Sequence, residues 1–394
     1  MTLSDTDIKF MHQAMQLAEQ GRGHTDPNPL VGAVIVLDGQ VIAQGWHHRY
    51  GDLHAERDAF RMADSKALSC VGATMYVTLE PCCHHGHQPP CTDAIIEHHI
   101  SRVVIGLGDP NPLVAGKGIK LLNEAGIETL QLSDCDDAEA RKLHHELEVQ
   151  NRAFLHYITT GRPWVTAKWA MTLDGKICTR TGHSQWISGE ESRRMVHHLR
   201  RQIPAILCGI GTVLADDPML NCRLESKDLP KGMSVHDVRQ PVRIIADRQA
   251  RIPLDSKLAA SAHEQRTVVA YAEGADLRKL HLLNKAGVET WCCPTPEDLL
   301  ERAGKEHISG ILVEGGGTLN ESLLRASLID EVYAFIAPKI VGGADAKTPV
   351  EGLGLSRMSD AVTLDEVSTT AVGQDILVHG FVKHNTPHTL CSQE

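Results

Sequence analysis

The residues whose types and spacing could do chemistry are His54-Ala-Glu56 and Pro81-Cys82, with Cys91 following after eight intervening residues. Imidazole nitrogen and thiolate sulfur are zinc donors. Three protein donors leave a fourth position for a water, whose pKa the metal lowers towards ~7. A glutamate two residues past the ligand histidine is placed to carry a proton from that water to a departing nitrogen. His-x-Glu followed by Pro-Cys and a second cysteine is the signature of zinc base deaminases, and there the glutamate is not a ligand. His54, Cys82 and Cys91 are therefore expected on zinc, with Glu56 as the catalytic residue. The interval between the cysteines is longer than the Cys-x-x-Cys of that signature, and Cys83 is not expected to be a ligand.

A second chemistry is suggested further along. Gly315-Gly-Gly317 and Gly209-Ile-Gly-Thr212 each follow an apolar run and precede a helical pattern. Glycines at a strand-to-helix turn let backbone N–H groups approach phosphate, with the field of the helix N-terminus adding to the attraction. Two such turns in one half of the chain suggest a phosphorylated dinucleotide.

These groups must be positioned by elements, and the chain alternates strands with helices throughout. A helix capped at Ser4 or Asp5 runs through Ile8, Met11, Met15 and Ala18. Strands follow at Val31–Leu37, Val41–Gln44, Met75–Leu79 and Val103–Leu107, with helices near His54, Cys91 and Lys117 and over Asp137–Leu155. Thr159-Thr-Gly-Arg-Pro163 interrupts the pattern, and the domain boundary is placed near residue 150. Beyond it, strands are expected at Trp164–Trp169, Ala205–Leu207, Val242–Ala246, Thr267–Tyr271, Gly310–Val313 and Glu331–Ala337. This is an α/β chain of two domains, 1–150 and 151–394.

The chain has 394 residues, 42% hydrophobic and 23% charged, as a globular protein does. It has neither an apolar run of membrane-spanning length nor a signal-like beginning, so a cytoplasmic location is expected. Eleven irregularly spaced cysteines fit thiols and metal ligands better than disulfides. The net charge of −11 sits almost entirely in residues 1–150, which hold 11 Lys and Arg against 21 Asp and Glu. An acidic deaminase half without a basic cluster argues against a nucleic-acid substrate.

The stretch from Thr78 to Ala94, TLEPCCHHGHQPPCTDA, resembles the bifunctional riboflavin-biosynthesis deaminase–reductases. So do Asp26-Pro-Asn-Pro-Leu-Val-Gly-Ala33, Gly108-Asp-Pro-Asn-Pro-Leu-Val-Ala-Gly-Lys-Gly118 and Lys168 with Leu173-Asp-Gly-Lys176. Ser184-Gln-Trp186, Gly211-Thr-Val-Leu-Ala-Asp-Asp-Pro218 and Glu314-Gly-Gly-Gly-Thr-Leu319 complete the series in the family's order. The resemblance implies a cytidine-deaminase-like three-layer α/β/α domain followed by a dihydrofolate-reductase-like α/β domain. It implies hydrolytic removal of the 2-amino group of 2,5-diamino-6-(5-phosphoribosylamino)pyrimidin-4(3H)-one, then reduction of the ribosyl chain with NADPH to 5-amino-6-(5-phosphoribitylamino)uracil. Zinc and NADPH are the implied cofactors, the partner is a small-molecule substrate, and the family usually forms a homodimer or homotetramer.

By the same resemblance Ala170, Trp186, Thr212, Asp216, Gly316, Gly317, Thr318, Leu319, Asn320, Glu321 and Ser322 contact NADPH. Asn28, Ser184, Arg200, Leu220, Arg223 and Glu314 contact substrate. Asn28 offers both donor and acceptor to a pyrimidine, but as a turn residue before Pro29 it has a plain structural reading as well. Arg200 also reads as surface helix charge, and Trp186 as core. Asp216 is the candidate nearest the proton needed in reduction, and Arg248 a candidate for the 2′-phosphate. Where the family usually has Lys or Arg and then Thr, this chain has His87-Gln88, so a phosphate contact there requires a protonated imidazole. The zinc signature alone also admits a nucleic-acid adenosine or cytidine deaminase with an accessory C-terminal domain, or a chain with one non-catalytic half.

Overall fold

A computed structural model describes residues 3–84, 88–111, 114–230 and 233–384. The chain divides into two compact units, Met1–Gly161 and Arg162–Glu394. The division of the units lies eleven residues beyond the boundary expected near 150. A single helix of 23 residues runs unbroken through that position and ends at Gly161, which takes the left-handed conformation that glycine tolerates best.

In the first unit, α1 (Asp5–Glu19) begins with a capping box in which Ser4 and Asp7 satisfy each other's backbone N–H. There follow β1 (Gly32–Leu37), β2 (Gln40–Trp46), α2 (Ala55–Ser65), β3 (Thr74–Leu79) and α3 (Cys91–Glu97). The unit closes with β4 (Arg102–Leu107), α4 (Lys117–Glu124), β5 (Glu128–Gln131) and α5 (Ala138–Thr160). The sheet order is β2-β1-β3-β4-β5, with β1 antiparallel to both neighbours and the rest parallel. Alternate side chains of one strand leave on opposite faces. Ile35, Met75, Val77, Val103 and Ile105 thus pack with Ala59, Phe60, Ile95 and Leu122 of α2, α3 and α4. Val34, Tyr76 and Val104 meet Phe10, Met11, Leu143 and Leu147 of α1 and α5 on the other face. Three layers result, as the family resemblance implies.

The second unit contains β6 (Trp164–Thr172), α6 (Glu190–Gln202), β7 (Ala205–Gly209), α7 (Ile210–Asp216), β8 (Val242–Ala246) and α8 (Lys257–Ala260). It continues with β9 (Thr267–Tyr271), α9 (Leu277–Lys285), β10 (Glu289–Cys292), α10 (Pro296–Lys305), β11 (Gly310–Val313) and α11 (Gly317–Arg325). It ends with β12 (Glu331–Ala337), β13 (Leu364–Val372) and β14 (Asp375–Val382). Nine strands form one sheet in the order β10-β9-β8-β7-β11-β6-β12-β14-β13. Pairing is parallel from β10 to β12, and β14 and β13 join antiparallel. Helices cover both faces: α10 and α11 with Leu299, Leu300 and Leu323 on one, α6, α8 and α9 with Leu199, Leu258 and Leu283 on the other. The carboxyl ends of β7, β8 and β11 open together onto the site described next. Among the described residues no helix is long and apolar enough to cross a membrane.

Candidate functional site

In the first unit the site is built where α2 and α3 begin. His54 is the N-cap residue of α2, so its extended backbone throws the ring clear of the helix while Glu56 sits in the first turn. Cys82 follows β3, and Cys91 is the first residue of α3. The Nδ1 of His54 lies 3.4 Å from Sγ of Cys82 and 3.4 Å from Sγ of Cys91, and the three donor atoms all fall within 4.8 Å of one another. Bond lengths to tetrahedral zinc place a nitrogen and a sulfur ligand about 3.6 Å apart. The observed spacing and the donor set therefore fit one zinc ion.

The neighbours hold this trio rigidly. The Cys82 sulfur accepts the backbone N–H of Cys91, and Thr92 N–H donates to Cys82 O at 3.2 Å. Arg57 donates to the carbonyls of Pro89 (2.9 Å) and Pro90 (2.7 Å), bracing the chain directly before Cys91. Glu80 is buried and accepts backbone N–H bonds from Asp109, Gly116, Gly118 and Ile119, drawing that loop against the end of β3. Gly118 is required there, since a Cβ would stand 2.2 Å from Pro81 O. The hydrogen bond with Cys91, then the hydrogen bond and charge of His54, hold the Cys82 thiol well below its ordinary value, against burial. Burial, reinforced by the Cys82 charge, pushes the Glu56 carboxyl up to about 7.

Asn28 follows the cis Asp26–Pro27 peptide, and its Nδ2 lies 3.1 Å from Nε2 of the buried His47. His47 Nδ1 is 3.0 Å from Leu53 O, so Nδ1 donates there and Nε2 is left to accept from Asn28. Asn28 Oδ1 is not used in that contact. His87 lies outside the described residues, as do Pro112 and Leu113 of the Gly108–Gly118 motif.

In the second unit a cavity of about 470 Å³ opens at the ends of β7, β8 and β11. Its lining includes Ser184, Thr212, Asp216, Gly316, Gly317, Thr318, Leu319 and Ser322, all expected from the sequence. A Cβ at Gly211 or Gly316 would meet nothing within 4 Å, so both turns present open backbone. Gly317 is glycine for another reason: a Cβ there would stand 2.5 Å from Thr348 O. The fully buried Asp247 keeps Oδ1 without a hydrogen bond beside the cavity, with Arg251 Nε 3.8 Å off, and Arg248 also lines it. Open glycine turns at a helix start, an unused acceptor and two guanidinium groups fit a phosphorylated dinucleotide.

Other expected contacts are placed differently. The Asn320 side chain is buried and donates to Pro349 O at 2.8 Å, and Glu321 pairs with Arg325. Neither lines the cavity, nor do Ala170, which packs near Phe335 and Leu377, and Trp186. Trp186 is 62% exposed with the Arg193 guanidinium over its ring, which excludes the core reading. Arg200 is not surface charge either: it makes a two-pronged bond to Glu314 at 2.6 and 3.0 Å and donates to Asn221 O at 2.9 Å. Lys168 Nζ joins the same carboxylate at 3.5 Å. Burial pushes the Glu314 carboxyl up, but Arg200 and Lys168 outweigh it and hold the group down to about 2. Arg223 is exposed and Leu220 is buried on the segment after α7. Sequence reasoning did not single out Lys168, His197 or Glu80 as site residues. Lys168 and Glu80 left a trace, one in the motif it shares with Leu173–Lys176 and the other within Thr78–Ala94; His197 left none.

Comparison with known proteins follows the same division. Residues 4–107 match the cytidine and deoxycytidylate deaminase zinc-binding region, and residues 163–378 match the RibD C-terminal domain. The riboflavin biosynthesis protein RibD of Actinobacillus pleuropneumoniae is 45% identical over 379 residues, covering 95% of this chain and 94% of that protein. The chain belongs to the RibD family. The Escherichia coli RibD is 37% identical over 95% of this chain and 98% of its own length. The Acinetobacter baumannii RibD structure superposes with a TM-score of 0.83 at 35% identity, covering 96% of this chain and 99% of that one. As a RibD protein the chain is a bifunctional enzyme of riboflavin biosynthesis. It unites a zinc-dependent, cytidine-deaminase-like hydrolase with an NADPH-using reductase, both acting on a small molecule. Neither a nucleic-acid deaminase nor a chain with a non-catalytic half is needed to account for it.

Proposed function

We propose that the first unit removes the 2-amino group of 2,5-diamino-6-(5-phosphoribosylamino)pyrimidin-4(3H)-one and the second reduces the ribosyl chain of the product to ribityl. The observation that carries this reading is the coexistence, in one RibD chain, of a zinc-competent His54–Cys82–Cys91 trio beside Glu56 and, in the second unit, a dinucleotide-sized cavity together with a buried Arg200–Glu314 pair. A Thermotoga maritima relative, 35% identical with a TM-score of 0.81, is described as a diaminohydroxyphosphoribosylaminopyrimidine deaminase and 5-amino-6-(5-phosphoribosylamino)uracil reductase.

In this reading His54, Cys82 and Cys91 hold zinc, and Asn28 presents Oδ1 to the pyrimidine while His47 holds its amide. Glu56, buried within the same first turn as His54, moves a proton from the attacking water to the departing nitrogen. When bound, zinc makes water a nucleophile at neutral pH and NADPH supplies the reducing equivalent. Gly316–Leu319, Ser322, Thr212 and Asp216 hold the dinucleotide, and Trp186 covers it from the exposed side. Asn320 and Glu321 fix α11 through their Pro349 and Arg325 contacts, and Ala170 on β6 also contacts the cofactor. Ser184 and Arg223 hold the sugar phosphate, and Leu220 contacts substrate from the same segment as Arg223. Glu314, kept ionised by Arg200 and Lys168, is ready to accept hydrogen bonds from the opened sugar.

The domains divide at Gly161, with a cytoplasmic location fitting the free cysteines of the described chain. A homo-oligomer, dimer or tetramer, is supported by apolar side chains left exposed at Leu353, Leu355, Met358, Val362 and Val367. The deciding experiment supplies the diaminopyrimidine phosphate with NADPH and follows ammonia and reduced-nicotinamide absorbance together. Glu56→Gln should keep its zinc, release no ammonia, and still oxidise NADPH when given the deaminated uracil. Substantial ammonia release by that variant would remove Glu56 from the mechanism.

A further inference from the structure

The segment Met219–Arg223 carries Leu220 and Arg223 yet belongs to no helix or strand. Its backbone is not one the chain would adopt by itself: Leu220 has a φ of 47°, in the left-handed region that a leucine side chain disfavours. Side chains from elsewhere take the place of strand partners. The fully buried Arg243 on β8, whose other bonds go to neutral oxygens of residues 258–267, donates to Met219 O at 3.3 Å. Arg200 donates to Asn221 O. Gln240 grips Cys222 on both sides: its Oε1 accepts Cys222 N–H at 2.8 Å and its Nε2 donates to Cys222 O at 3.1 Å. His197 on α6 accepts Arg223 N–H through Nδ1 at 3.2 Å, and its carbonyl accepts from the Cys222 thiol.

We infer that Gln240 and His197 are positioning residues of the reductase site, holding the Cys222–Arg223 backbone so that Arg223 meets the sugar phosphate. The inference rests on the reading of Arg223 as a phosphate contact. Gln240 satisfies with one amide the two groups that a neighbouring strand would otherwise satisfy, and it does so directly before the residue whose guanidinium must be aimed. His197 serves only with Nδ1 unprotonated. Burial, followed by the charges of Arg200 and Arg223, pushes its imidazole down to about 4, so the acceptor is present at neutral pH. A misaimed Arg223 weakens phosphate binding without touching the dinucleotide cavity, whose lining includes none of these residues.

The test uses the full-length enzyme with zinc bound. Gln240→Ala and His197→Ala are expected to raise KM for 5-amino-6-(5-phosphoribosylamino)uracil about tenfold each, as loss of one or two orienting hydrogen bonds would. The kcat of reduction, the NADPH dissociation constant and ammonia release should be unchanged. His197→Asn, whose Oδ1 can stand near the lost Nδ1, should return KM to within about twofold of wild type. In an Arg223→Ala background the Gln240→Ala change should raise KM no further, because its effect passes through Arg223. An unchanged KM in Gln240→Ala and His197→Ala, or an equal rise with Arg223 already removed, overturns the positioning role and leaves the Arg223 contact standing. An unchanged KM in Arg223→Ala alone overturns the contact itself and the inference with it.

Discussion

Glu314→Gln should destabilise the second unit by a pH-dependent amount that can be worked out from the burial and pairing of this carboxylate. The group is buried against Arg200 and Lys168, and its pKa is about 2 where an ordinary glutamate has 4.5. A depression of that size corresponds to about 3 kcal/mol of stability held by the charged form. The sign follows from the direction. A depressed carboxyl contributes fully above its unfolded pKa and loses the contribution as pH falls towards the folded value. The difference between wild type and Glu314→Gln should therefore be about 3 kcal/mol at pH ~7 and the same at pH ~5.5. Below about pH 4.5 it should shrink by roughly 1.4 kcal/mol per unit. Urea titrations followed by tryptophan fluorescence suit the test, since Trp164, Trp169, Trp186 and Trp291 all lie in the second unit and only Trp46 in the first. A variant as stable as wild type at neutral pH would refute the reasoning. So would a deficit that stays constant to pH ~3.5.

Chelation of zinc should abolish ammonia release while sparing NADPH oxidation with the uracil substrate, and re-addition of zinc should restore the first activity. Arg57→Ala, which unties the carbonyls of Pro89 and Pro90, should lose zinc to a competing chelator several-fold faster than wild type; equal rates would deny Arg57 its bracing role. Gly316→Ala should fold with wild-type stability yet bind NADPH at least tenfold more weakly, because its new methyl group points into open cavity space. Gly317→Ala, whose Cβ collides with Thr348 O, should instead lower the melting temperature of the second unit, by an amount typical of overpacking at about 1–3 kcal/mol.

Much of this architecture could be read from periodicity, because the strands beneath both sites are continuous apolar runs, as strands covered on both faces must be. The zinc trio was equally plain, since donor type and spacing carry the chemistry directly. Strand β13, Leu364–Val372, was missed: it lies at the sheet edge with almost every residue exposed, so no apolar alternation marks it. The short β5 and β10 escaped for a related reason, being edge strands of four residues. The last turns of α5 are half-exposed and blurred the boundary, although Gly161 was there to mark the stop. For Arg200, expected at the substrate, surface charge stayed open as an alternative because its partner Glu314 lies on a distant strand end, and pairing at that separation leaves no local pattern. Gln240 and His197 were invisible for the same reason: they act on backbone atoms, which carry no residue identity.

Between the end of α5 at Thr160 and the start of β6 at Trp164 the chain has only Gly161, Arg162 and Pro163. Among the described residues no strand and no helix crosses that point, and each hydrophobic cluster draws its members from one side of it. A genetic cut placed there would interrupt neither sheet and no helix, so each fold could be completed by its own polypeptide.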